Sequence, residues 1–119
     1  ITRKTDPDPV WAALAARSLD RYSEIEEESG GIPFYTECGH LAVGPQGSDT
    51  VQSRLENAKR QDVDASQLDD AQLSEMFPYM AFPQGSTGVW EPRQAGYVSA
   101  RKLVEAQTTA ASIHGADVV

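Results

Sequence analysis

The stretch Ile32–Pro45, IPFYTECGHLAVGP, constrains the fold more than any other, because it is the one long apolar run that alternates as a strand does. Phe34, Thr36, Cys38, His40 and Ala42 fall on one face, and Tyr35, Leu41 and Val43 on the other. Gly39 interrupts the middle, while Gly30-Gly31 and Pro45-Gln46-Gly47 bound the ends. The run therefore reads either as one bent strand or as two short strands turned at Cys38-Gly39. Helical spacings lie on both sides of it. The expected fold class is α+β, with helices packed on a small, mainly antiparallel sheet.

Upstream, Asp8 and Pro9 suit the N-cap and first position of a helix, where amides lack intrahelical partners. Trp11, Ala15, Ser18, Tyr22 and Ile25 recur at helical spacing, flanked by Leu14 and Leu19, and predict a stripe facing the sheet. Gly30 or Gly31 ends that helix. Downstream, Ser48 or Asp49 caps a second helix with Val51, Leu55 and Ala58 on one face. Val63 is expected to open a short extended piece. Asp69-Asp70 begins a short third helix whose Leu73, Met76 and Phe77 turn inward before Pro78 stops it. Tyr79–Gly88 reads as loop and Thr87–Glu91 as strand. Ser99 caps a last helix, Ala100–Ile113, with Leu103, Ala106, Ala110 and Ile113 on its buried side, and His114-Gly115 ends it. Ala116–Val119 is expected to enter a parallel sheet as a strand.

A chain of 119 residues is long enough for one hydrophobic core, hence one domain or a piece of one. Ile1 in place of an initiator Met, and a strand starting at the far end, suggest a segment of a longer protein. The net charge of -8 argues against nucleic acid and anionic membrane surfaces as partners, since both need clustered Lys and Arg. No apolar run approaches the roughly 20 residues of a membrane-spanning helix. The single cysteine, Cys38, rules out an internal disulfide and fits a cytoplasmic location.

The usual catalytic signatures are missing: there is no G-x-G-x-x-G or Walker loop, no C-x-x-C, no H-E-x-x-H and no G-x-S-x-G. Cys38 and His40 share a strand face, but two ligands without a third make a weak metal site, and Cys38 reads as a small buried hydrophobe. Glu24, Glu26, Glu27 and Glu28 read as a solvated acidic face. Trp90, Tyr97 and Tyr35 are core aromatics or the lining of a pocket. Arg3 has a sharper alternative to being a surface cation. Its guanidinium, held near the helix that starts at Pro9, could clamp a carboxylate through two parallel hydrogen bonds.

In order, ITRK, DPDPVWAALAARSLDRYSEIEEESG, IPFYTECGHLAVGP, LDDAQLSEMFP and GVWEPRQAGYVSARKLVEAQTTAASIHGADVV together resemble the FAD-dependent oxidases of the D-amino-acid oxidase superfamily, most of all the monomeric sarcosine oxidase branch. CGHLAVGP, LSEMFP and GYVSARKL carry most of the likeness. The resemblance implies that residues 1–115 are the first part of a substrate-binding domain, and that 116–119 begin the return strand to a discontinuous FAD-binding domain. It implies that Arg3 is the second arginine of the family's basic H-x-x-x-R-x-x-R stretch and contacts the substrate carboxylate. The whole protein would oxidise the C–N bond of a small amino acid or amine, with FAD as cofactor. These residues alone are expected to bind no flavin, to be inactive, and to self-associate through exposed sheet edges. The competing reading is a stand-alone acidic binding module whose Trp90 and Tyr97 face a partner.

Overall fold

In the computed structural model, which describes residues 1–119, the alternating run divides at Cys38-Gly39 into β1, Tyr35–Glu37, and β2, His40–Pro45. Gly39 has φ +78°, and a Cβ there would lie 2.3 Å from the indole of Trp90. Only glycine satisfies both the left-handed backbone and that close approach. The second of the two sequence readings is the one observed, with a consequence beyond a bend. The two halves enter different sheets.

β2 pairs antiparallel with β4, Ser86–Glu91, from His40 opposite Glu91 to Pro45 opposite Ser86. On the far side of β4 lies β3, Ser66–Leu68, also antiparallel, so the order is β2-β4-β3. β1 instead pairs with β5, Gly96–Val98, antiparallel. Thr2 extends this second sheet through a bridge to Gly96, the two residues exchanging amide hydrogen bonds of 2.8 and 2.9 Å. Every strand pair is antiparallel, as the α+β reading expects. The extended piece lies at Ser66–Leu68 rather than at Val63.

Five helices surround these sheets: α1, Pro9–Asp20; α2, Tyr22–Glu28; α3, Asp49–Arg60; α4, Asp70–Met76; and α5, Ala100–Ile113. The Asp8 carboxylate accepts the Val10 and Trp11 amides at the start of α1, with Pro9 as the first helical residue. Ser48 and Ser99 cap α3 and α5, and Asp69 forms a reciprocal capping box with Gln72 at α4. The single helix expected between Pro9 and Gly30 is interrupted at Arg21. No helix is long and apolar enough to cross a membrane.

The main core forms where α4 meets the three-stranded sheet: Leu68, Leu73 and Phe77 are buried, with Leu41, Phe82 and Trp90 against them. The Phe77 and Trp90 rings meet edge to face at 5.3 Å. Elsewhere the core is thin. The radius of gyration is 17.0 Å, against about 13.5 Å for a compact domain of this length, so the molecule is elongated. Several expected core positions accordingly lie open. Trp11 is 64% and Leu14 47% exposed while Ala12 and Leu19 are buried, so α1 turns a different face inward from the one its aromatic spacing suggested. Met76 and Ile113 also face out, and Cys38 is exposed rather than buried. Ala116–Val119 forms no strand among these residues.

Candidate functional site

The segment Thr2–Pro7 has almost no secondary structure of its own, yet Lys4 and Thr5 are among the most buried residues in the chain. Buried amides need partners. They are supplied by distant side chains. Glu91, fully buried at the end of β4, accepts the Lys4 amide at 2.8 Å, the Thr5 amide at 3.1 Å and the Thr5 hydroxyl at 2.8 Å. The Lys4 ammonium donates to Asp20 at 2.7 Å and to Gln94 at 2.6 Å. From α3, Arg54 donates to the Thr5 carbonyl, and buried Asn57 donates to the Asp6 and Pro7 carbonyls at 2.9 and 3.0 Å. With the Thr2–Gly96 bridge, the segment is strapped along its whole length.

Arg3 sits in the middle of this strapped segment. Its guanidinium is half-buried and bonds the Asp6 carboxylate at 2.9 Å, while its Nε is buried without a hydrogen-bond partner. It helps line a cavity of about 330 Å³ whose other walls include Thr2, Asp6, Trp11, Leu14 and Leu19 of α1 and Tyr22 at the start of α2. Exposed Trp11 and Leu14 therefore face this cavity and not the sheet. The arrangement offers a fixed cation with unused N–H donors beside an apolar wall, and can hold a carboxylate that carries an apolar group.

Three other buried polar atoms lack partners: the Thr2 hydroxyl, the Tyr35 hydroxyl and Nδ1 of His40. His40 lies opposite Glu91 in the β2–β4 register. Its burial, with the Arg3 and Arg54 charges added, lowers its pKa to about 4, so it is neutral near pH 7. Burial likewise pushes the Tyr35 phenol up to about 12, with Glu37 reinforcing the shift.

The remaining sequence candidates do not converge. Trp90 packs partly buried against the core, Tyr97 is half-exposed on β5, and the Tyr35 ring meets that of Tyr22 tilted at 58°, 5.4 Å between ring centres. No group of three or more His, Cys, Asp or Glu is placed to hold a metal. The acidic run is not uniformly solvated. Glu26 accepts the Phe34 and Tyr35 amides at 2.8 and 2.9 Å and so fixes the start of β1. Sequence reasoning missed Glu91, Arg54 and Asn57 altogether. The one signal available was an acid, Glu91, directly after apolar Val89-Trp90 and before Pro92.

The fold is shared with part of a larger known structure. It superposes on the structure of NikD, described as an unusual amino acid oxidase essential for nikkomycin biosynthesis, with a TM-score of 0.70 and 16% identity, over 93% of this chain and 29% of that one. The sequence profile of the FAD dependent oxidoreductases matches residues 2–119, and the chain belongs to that family. It is 30% identical over 119 residues to a monomeric sarcosine oxidase of Streptomyces avermitilis, covering 99% of this chain and 30% of that protein. It is 26% identical over 104 residues to an N-methyl-L-tryptophan oxidase of Yersinia pestis, covering 84% and 28%. The chain thus spans under a third of the length of these relatives.

The glycine-rich loop that would hold the family's dinucleotide cofactor is not among these residues. Three strand-to-helix connections occur, β2–α3, β3–α4 and β5–α5. None carries the glycine pattern that lets backbone amides close on a dinucleotide pyrophosphate.

Proposed function

We propose that this chain is part of the substrate-binding region of an FAD-dependent oxidoreductase that oxidises the C–N bond of a small amino acid or N-methyl amino acid. Residues 1–115 form a partial substrate-binding domain, and 116–119 lead back towards the FAD-binding domain. Arg3 holds the substrate carboxylate. The observation that carries this reading is the strapping of Thr2–Pro7 by Glu91, Gln94, Arg54 and Asn57, which fixes one cation on the wall of an open cavity. A pre-positioned guanidinium takes a carboxylate with little ordering entropy left to lose. The flavin, held by other parts of the whole protein, supplies the redox chemistry, and this chain supplies orientation.

The competing binding-module reading keeps only exposed Tyr97 in its favour, since Trp90 packs inside against Phe77. The test is Arg3→Met in the full-length, flavin-loaded protein. KM for an N-methyl amino acid should rise about 10- to 100-fold, while the methyl ester of the same compound, which carries no carboxylate charge, should be turned over as before. An unchanged KM for the free acid would refute the assignment.

A further inference from the structure

We infer that Asp6 is a positioning residue for Arg3, fixing the plane of its guanidinium so that the free donors meet the ligand carboxylate; the inference rests on the carboxylate role proposed for Arg3. Asp6 is the one acidic side chain in the wall of the cavity. Its Oδ2 accepts from Arg3 Nη2 at 2.9 Å, and no other side chain bonds Arg3. Its Oδ1 accepts the Asp8 amide at 3.0 Å, at the start of α1. Its carbonyl accepts from Asn57, a buried residue of α3. Asp6 is thus held by two helices, and through it so is the guanidinium. Of the five N–H groups of a guanidinium, this contact uses one. The ligand can take two parallel donors from those that remain.

Removing Asp6 has two opposed effects. It takes a negative charge away from the site, which favours an incoming carboxylate. It also frees a long side chain that the ligand must then order, which disfavours binding. Glu91 and Arg54 also act on this corner, and both remain when Asp6 is changed. The cavity is open, so water screens the charge gained, whereas no other side chain replaces the lost anchor. Positioning therefore dominates.

The experiment compares Asp6→Ala, Asp6→Asn and Arg3→Met in the full-length, flavin-loaded protein, using the best-turned-over compound from a panel of N-methyl amino acids. Asp6→Ala should raise KM about tenfold with kcat held, because the reacting atoms are unchanged once the ligand is seated. Asp6→Asn keeps only one of the two accepting oxygens and sets an amide N–H against the other donor, so it should raise KM by about threefold, less than Asp6→Ala. A merely structural role would reduce the amount of active protein without separating KM from kcat. The inference is overturned if Asp6→Ala keeps or lowers KM, or if it lowers kcat in step with any rise in KM. Arg3→Met at the parent KM refutes the carboxylate assignment and this inference with it. A raised KM for Arg3→Met beside an unchanged one for Asp6→Ala overturns this inference alone.

Discussion

Glu91→Ala should be among the most damaging single changes in this chain. Glu91 is fully buried and accepts three hydrogen bonds, from the Lys4 amide, the Thr5 amide and the Thr5 hydroxyl. Lys4 and Thr5 are themselves buried, so without Glu91 those donors are left without protein partners. Each orphaned donor costs about 1–3 kcal/mol, which sets a ceiling near 9 kcal/mol. Alanine leaves a polar space that water can enter and partly satisfy, so the expected loss is about 3–4 kcal/mol. Glu91→Gln keeps one accepting oxygen but sets an amide N–H against a backbone donor, and should lose about 1–2 kcal/mol. Urea unfolding followed by tryptophan fluorescence should therefore rank the parent above Glu91→Gln and Glu91→Ala last, with unchanged m-values. A Glu91→Ala midpoint equivalent to less than about 1 kcal/mol would show that the strap is not what holds Thr2–Pro7 in place.

Gly39→Ala combines strain at φ +78° with a Cβ 2.3 Å from the Trp90 indole. It should destabilise by about 2–4 kcal/mol and alter the near-ultraviolet circular dichroism of Trp90, and a neutral result would contradict the division of the alternating run at this residue. For His40, burial and then the Arg3 and Arg54 charges depress the folded pKa to about 4, below the unfolded value of 6.5. The unfolded chain then binds the proton more readily, so His40's contribution is fully present above pH 6.5 and is lost as pH falls from 6.5 towards 4. His40→Gln should flatten the stability curve across that window, and an NMR titration of the imidazole with a midpoint near 6.5 would contradict the burial argument.

Helix starts were readable from local chemistry. Asp8, Ser48, Asp69 and Ser99 each cap the helix that the sequence assigned to them, because a cap accepts an amide two or three residues away. Pattern also located β2 and β4, and glycine marked the break at residue 39. Pattern misplaced the burial of α1. Helical spacing names a stripe but not what covers it, and in the structure Trp11 and Leu14 face the Arg3 cavity. Cys38, expected to be buried, is exposed at the division between the two sheets.

What the sequence determined by itself is the fold class, the capped helix starts and the choice of Arg3 as the cation to watch, since these depend on contacts within a few residues or on a matched motif. What only the tertiary structure decided is how Arg3 is held. Its neighbours are fixed by Arg54, Glu91 and Gln94, which lie 49 to 90 residues further along. Contacts over such separations leave no local periodicity; they arise because the antiparallel sheets and α3 bring buried donors and acceptors together, and each must find its partner there.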